Sequence, residues 1–286
     1  MRRTTVGRRD HSGREWRHRQ SPRAGCSVAS HPLPVGRRVK AEEIRLYAHR
    51  GACLRCPENS LEAFELALTH GANALEMDVH ATSDGHFVVA HDADGARLAG
   101  DARPIQSLPL EAVREWRLDG HAQVPTLDEI LEAFPGTPMS IDLKPRRPQL
   151  VQPFLDTLKQ WDAEEWVTVA SFHHDVMLEV HRSGWMGRTA LSRLEVAWLR
   201  LLPEKISGRL IRGHSAQIPP SAGPLRLDRS TFIDRCHRLG LRSDYWVIND
   251  PSEADRLLEL GATGVMSDDP ERIASVVAAH QKKRDR

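Results

Sequence analysis

Past Lys40 the chain settles into short apolar runs separated by stretches in which apolar residues recur every three or four positions. The runs with strand character are Ile44 to His49, Ala74 to His80, Phe87 to His91, Met139 to Leu143, Val167 to Phe172, Arg188 to Leu191, Ala216 to Ile218, Asp244 to Ile248 and Gly264 to Met266. The helical periodicity falls between most of them, over Leu110 to Trp116, Leu127 to Phe134, Leu150 to Trp161, Val176 to Ser183, Ser230 to Leu239, Glu253 to Leu260 and Glu271 to Ala279. A further helix follows Asn59, which reads as an N-cap with Glu62 completing a capping box, Leu61, Phe64 and Leu68 on one face and Gly71 as terminator. Strand and helix alternating to the end of the chain predict an α/β fold, a parallel sheet with helical crossovers closed into a (β/α)8 TIM-type barrel. The strand candidates exceed by one the eight that such a barrel takes.

One connection breaks the alternation. Between His80 and Phe87 there is no room for a helix, and Asp84-Gly85 is the dipeptide that a two-residue hairpin turn prefers. A turn centred there sets Asp78 opposite His91 across an antiparallel pair. A tight parallel connection would instead bring both strand ends to one rim. Either geometry leaves the acid and the histidine close.

Composition refines this picture at the N-terminus. The formal net charge is +1, from 40 Lys and Arg against 39 Asp and Glu, yet residues 1–40 hold eleven of the basic residues and only two of the acids. The body is therefore acidic and the head basic. Gly, Ser, Pro and His interrupt the head and it has no apolar periodicity, so residues 1–43 read as a disordered extension, and no nucleic-acid partner is expected. Arg2-Arg3 and Arg8-Arg9 lack the hydrophobic segment that twin-arginine export needs, and no run reaches the roughly 18 to 20 apolar residues of a membrane span. A soluble, cytoplasmic protein without stable membrane insertion is expected, with one domain over 44–279 and a charged tail at 280–286. The four cysteines are too unevenly placed for a disulfide framework, and Cys53-Leu-Arg-Cys56 lacks the second pair that a structural zinc site requires.

Polar residues accumulate at the ends of the predicted strands, where barrel active sites are built. These are His49-Arg50-Gly51, Glu76-Met77-Asp78, His91-Asp92 and Asp142-Leu143-Lys144. Alternation along a strand points Glu76 and Asp78 the same way, and likewise Asp142 and Lys144. Buried carboxylates need a partner. A hard divalent cation, Mg²⁺ or Ca²⁺, would satisfy Glu76, Asp78 and Asp142 together, and an ion-pair network with Arg50 and Lys144 is the alternative. His49 and His91, at strand ends beside carboxylates, suit acid and base work near neutral pH. His11, His18, His31, His70, His121, His181 and His280 read as surface or tail residues, and His173 and His174, just past a strand end, rank above them.

The strand-end motifs, in order, resemble the glycerophosphodiester phosphodiesterase family. They are His49-Arg50-Gly51, Pro57-Glu58-Asn59-Ser60 with Ala63-Phe64, Glu76-x-Asp78-Val79, Thr82-x-Asp84-Gly85, Val88-Val89-x-His91-Asp92 and Val124-Pro125-Thr126-Leu127-Asp128-Glu129. Ser171-Phe172, Trp246-Val247-Ile248-Asn249-Asp250 and Gly261-Ala262-x-Gly264-Val265-Met266-Ser267-Asp268-x-Pro270 continue the match. The resemblance implies a distorted barrel in which Glu76, Asp78 and Asp142 bind the divalent cation, His49 and His91 form the acid/base pair, and Arg50 and Lys144 hold the phosphate. It also implies that Glu58 orients polar groups and that Phe172 and Trp246 line the glycerol pocket. The family's usual Glu-x-Lys is Asp142-Leu143-Lys144 here, one methylene shorter, which weakens the inference about the metal. The region from Asp92 to Gln123 leaves no space for a large inserted domain and suggests an open rim.

The function implied is metal-dependent hydrolysis of a small-molecule glycerophosphodiester to glycerol 3-phosphate and an alcohol. One alternative is lysophospholipase D-like or phospholipase-like action on lipid diesters, which requires an apolar docking rim. No aromatic cluster announces one, and the apolar stretch of Trp185, Trp198, Leu199, Leu201 and Leu202 reads as a helix or loop under the barrel. A second alternative is a non-catalytic phosphoester-binding barrel, which would have no use for a histidine pair.

Overall fold

Residues 43–286 are described by a computed structural model, and the expectation for the basic head lies outside them apart from Glu43. Nine strands carry the architecture: β1 (Arg45–His49), β2 (Ala74–Ala81), β3 (Phe87–Val89), β4 (Met139–Leu143), β5 (Val167–Ala170), β6 (Arg188–Thr189), β7 (Ser215–Ile218), β8 (Arg242–Tyr245) and β9 (Gly264–Ser267). All but β3 are parallel, in the order β6-β5-β4-β2-β1-β9-β8-β7. The ring closes through a parallel bridge between Ala190 and Ser215, supported by the Leu191 amide donating to the Ser215 carbonyl at 2.8 Å. This is the predicted eight-stranded barrel.

The ninth strand candidate is β3, which runs antiparallel beside β2 and takes no place in the ring. Its connection is longer than the two-residue turn expected. The Gly85 amide donates to the Thr82 carbonyl at 3.2 Å and the Thr82 amide to the His86 carbonyl at 2.9 Å. Gly85, at φ 88°, supplies the left-handed residue that such a bulged three-residue turn needs. The extra residue shifts the register, so Asp78 accepts from the amide of Ala90, not from a position opposite His91. The chain leaves the strand at Val89, which frees His91 to turn into the pocket.

The helices are α1 (Leu61–Thr69), α2 (Leu110–Val113), α3 (Leu127–Ala133), α4 (Val151–Gln160), α5 (His174–Arg182), α6 (Arg193–Leu201), α7 (Glu204–Leu210), α8 (Ser230–Arg238), α9 (Pro251–Glu259) and α10 (Pro270–Arg284). Their apolar faces meet the outward side chains of the strands, Leu75, Met77, Val79, Ile141 and Leu143 among them, in one continuous core. Ser60, not Asn59, caps α1, its hydroxyl accepting from the Ala63 amide. Asn59 instead sits at φ 58°, buried, with its Nδ2 3.5 Å from Asp78 Oδ2. The apolar stretch after Ser192 is α6, started by a capping box of Ser192 and Glu195.

The excursion from Ala90 to Val124 packs a small core of its own around Trp116, Ile105 and Val113. The expected charged tail is a docked helix: α10 runs to Arg284, His280 is buried with Nε2 2.7 Å from Asp255, and Gln281 accepts from the Ile44 amide. Among the described residues no helix is long and apolar enough to cross a membrane.

Candidate active site

The parallel register fixes the floor of the site. β1 against β2 pairs His49 with Glu76, and β2 against β4 pairs Glu76 with Ser140 and Asp78 with Asp142. Alternation sends Met77, Ile141 and Leu143 outward to the helices, so their polar neighbours turn into the barrel mouth. The result is a cavity of about 290 Å³ lined by His49, Arg50, Glu76, Asp78, His91, Asp142, Lys144, Phe172 and Trp246, together with Arg193, Gln217 and Met266. Glu58, expected to orient polar groups, reaches Arg50 Nη1 at 3.2 Å from behind.

Gly51 lets the first strand end where it does. At φ 85°, a Cβ there would lie 2.6 Å from that of Ala63, so only glycine permits the turn to pack on α1. Arg50, at φ 57°, folds back with its amide on Glu76 Oε2 at 3.2 Å. Its Nε lies 3.3 Å from Asp78 Oδ2, an ion-pair contact without hydrogen-bond alignment.

Lys144 bridges two carboxylates, its Nζ 2.6 Å from Asp78 Oδ1 and 2.8 Å from Asp142 Oδ2. Burial opposes its charge, but Asp142 and Asp78 outweigh burial and raise its pKa. Asp142 is pushed up chiefly by burial, and Glu76 is pushed up to about 7, by burial and then by the charge of Asp78.

Each histidine is fixed through Nδ1 by its own carboxylate. His49 Nδ1 is 2.6 Å from Asp268 Oδ1, and a carboxylate only accepts, so the imidazole donates there and turns Nε2 toward Glu76, 4.0 Å away. Burial works to lower the His49 pKa, and the Asp268 hydrogen bond and Glu76 charge overcome it, leaving it raised. Asp268 is itself lowered to about 2: burial opposes this, and the bonds from His49 and Asn249 prevail. His91 Nδ1 lies 2.8 Å from Asp92 Oδ1. Arg97 donates to Asp92 Oδ2 at 2.7 Å and to both Glu58 oxygens at 2.7 and 3.0 Å, so Glu58 supports both Arg50 and the His91 pair.

The wall is aromatic. Phe172 and Trp246 meet edge to face with centroids 6.1 Å apart, and Arg193 stacks 4.4 Å over Phe172. All ten residues singled out from the sequence thus gather in or directly behind one cavity, whereas His173 and His174 stand outside its lining. Sequence reasoning assigned no role to Asp268, Arg97 or Arg193, and read Asn59 only as a helix cap. Asp268 was within reach of the strand-end rule, standing directly after β9; Arg97 lies in irregular chain, where periodicity gives no signal.

The three carboxylates present hard oxygen donors, and Asp142 Oδ1 is buried without a hydrogen-bond partner. That orphan oxygen, and the burial and neighbouring Asp78 charge that raise Glu76, fit a hard divalent cation. Against this, among the described residues no three His, Cys, Asp or Glu side chains converge tightly enough to grip an ion, and Lys144 pairs with both Asp78 and Asp142. A cation fits provided Lys144 releases one of them.

A sequence model described as the glycerophosphoryl diester phosphodiesterase family matches residues 49–272. The chain is 28% identical over 267 residues to a rat protein named lysophospholipase D GDPD1, covering 80% of this chain and 84% of the rat one. It is 24% identical over 247 residues to a glycerophosphodiester phosphodiesterase of Caldanaerobacter subterraneus subsp. tengcongensis, covering 80% and 96%. Among solved structures, a glycerophosphodiester phosphodiesterase from Agrobacterium tumefaciens superposes with a TM-score of 0.71 at 22% identity, covering 82% of this chain and 99% of that one. An Oleispira antarctica phosphodiesterase in complex with the product sn-glycerol-3-phosphate gives 0.66 at 23% identity, covering 82% and 96%.

Proposed function

Since the chain belongs to the glycerophosphoryl diester phosphodiesterase family, a family of phosphoric diester hydrolases, we propose that it cleaves glycerophosphodiesters to glycerol 3-phosphate and a free alcohol. The observation that carries this reading is the pair of imidazoles, each anchored at Nδ1 by its own carboxylate and both lining one cavity with Arg50 and Lys144. A binding protein needs the cations but gains nothing from two oriented histidines, which disfavours the non-catalytic alternative.

In the proposed reaction Arg50 and Lys144 neutralise the phosphodiester and the charge that develops on it. One histidine takes a proton from the attacking hydroxyl and the other returns a proton to the departing alcohol oxygen; attack by water gives glycerol 3-phosphate directly, whereas attack by the adjacent glycerol hydroxyl leaves a cyclic glycerol phosphate that water then opens. His49 and Asp268 hold the Nδ1 proton, leaving Nε2 for transfer; Asp92 does the same for His91. Glu76, Asp78 and Asp142 would hold a divalent cation. When bound, that ion supplies Lewis-acid polarisation of the phosphoryl oxygens. Phe172 and Trp246 would bound the glycerol moiety. The Oleispira structure, with its product sn-glycerol-3-phosphate, is consistent with such a pocket.

A second reading, lysophospholipase D action, is favoured by the names of the mammalian relatives and by the aromatic wall. Assay of purified protein against glycerophosphocholine, lysophosphatidylcholine and an aryl phosphodiester, each with Mg²⁺, Ca²⁺ or EDTA, tests both. Turnover of glycerophosphocholine that EDTA abolishes is the expected result. Activity restricted to the aryl ester, or activity indifferent to chelation, would overturn the substrate or the metal assignment respectively.

A further inference from the structure

Exposed apolar side chains are unevenly spread around the mouth of the barrel. Among the described residues, the loops that follow β2, β3, β4 and β5 carry no large exposed apolar residue. Nearest their strands, the segments that leave β6, β7, β8 and β1 carry Leu194 at 42% exposed, Leu225 at 38%, Val247 at 37% and Leu54 at 62%; Leu61, Leu201, Ile206 and Leu210 are exposed farther along, in α1, α6 and α7. Those strands are successive around the ring, interrupted only by β9 and its short connection, so the four side chains form an arc on the active-site side. Single exposed leucines are ordinary, but an arc confined to half of one rim calls for a partner.

The charges on this arc identify the partner. Arg193 and Arg229 are exposed and have no carboxylate partner among the described residues; of the nearby acids, Glu195 and Asp228 are buried in caps and ion pairs, and the exposed Asp250 is engaged by Ser252 as the cap of α9. Apolar side chains interleaved with guanidiniums that no carboxylate neutralises match a surface of acyl chains beneath anionic headgroups. Arg193 also stacks on Phe172 in the cavity wall, so the arc is continuous with the site.

We propose that this half-rim docks the enzyme on an anionic phospholipid surface and presents the cavity to diesters held there. The proposal rests on the phosphodiesterase reading for its purpose, though not for its test. Purified full-length protein is co-sedimented with vesicles of phosphatidylcholine alone and of phosphatidylcholine with phosphatidylglycerol, at low and high salt. Expected is binding to the anionic vesicles that weakens with salt. A Leu54→Glu, Leu225→Glu, Val247→Glu, Arg229→Glu variant should bind them at least about tenfold more weakly. It should cleave vesicle-held lysophosphatidylcholine correspondingly more slowly and keep soluble glycerophosphocholine turnover within about twofold of wild type.

If that variant also loses soluble turnover, Leu54→Glu and Leu225→Glu made singly, on separate loops, carry the comparison. Wild-type protein that stays in the supernatant, or variants that bind undiminished, would overturn the docking surface. Vesicle binding without turnover of any diester would leave the docking surface standing and remove the catalytic reading. Turnover of soluble diester without vesicle binding would do the reverse.

Discussion

Asp268 accepts from His49 Nδ1 at 2.6 Å and from Asn249 Nδ2 at 2.8 Å, so the carboxylate that fixes the buried imidazole is itself fixed. An imidazole clamped in this way needs no reorientation when a proton moves at Nε2.

Replacing Asp268 by Asn removes the acceptor charge while keeping the shape. Because the Asp268 hydrogen bond is the leading influence that raises the His49 pKa against burial, the variant's His49 should titrate at lower pH. Expected is a fall in kcat on the order of 10²-fold with KM nearly unchanged. The pH limb assigned to His49 by NMR should move toward acid. An unchanged limb would separate Asp268 from the histidine's function.

The same pair shapes stability. Asp268 is lowered to about 2, below the roughly 3.9 of an unfolded Asp, so its contribution is present above about pH 4 and lost as pH falls toward 2. His49 is raised, so its contribution is complete below its unfolded value of about 6.5 and lost as pH rises through its folded one. The pair should therefore stabilise the fold most between roughly pH 4 and 6.5. Denaturant unfolding of wild type and Asp268→Asn across pH should show the largest gap there and convergence at both ends.

Arg97 ties Glu58 to Asp92, and Asp92 to His91. The bidentate contact needs a guanidinium, so Arg97→Lys should behave nearly as poorly as Arg97→Met. Both should lower kcat by about tenfold, with the His91 resonance shifted in NMR spectra. Full activity in Arg97→Lys would show that charge alone suffices.

How much of this was legible follows from where regularity ends. Eight parallel strands could be read from apolar runs; strand alternation set Glu76 beside Asp78 and Asp142 beside Lys144, and the register of β2 against β4 brings the two pairs together. The ninth run misled because β3 is equally apolar, lying buried between β2 and α3 outside the ring. The register of the β2–β3 hairpin was off by one, since the sequence Thr82-Ser83-Asp84-Gly85 is compatible with either turn length and only the Thr82 to His86 hydrogen bond decides. Charge pairing was the least legible part. Arg97 satisfies carboxylates on separate loops, contacts that no local pattern encodes, whereas the ion pairs of Arg50 and Lys144 were anticipated as the alternative to a cation.

Gly51 offers a test of how tightly the first strand end is built. An alanine there would adopt φ 85° unwillingly and would press its Cβ to within 2.6 Å of the Ala63 side chain and 2.7 Å of its backbone. The backbone of α1 cannot yield without pulling Ser60 out of its cap, so the strain has no cheap outlet. Gly51→Ala should destabilise the fold by about 2 to 4 kcal/mol and shift Arg50 off Asp78, raising KM for the diester more than it lowers kcat. Chemical denaturation and steady-state kinetics on the same preparation check both parts. A variant as stable as wild type would mean that the loop from Gly51 to Ser60 relaxes freely, and that Arg50 is held by its carboxylates, not by the turn.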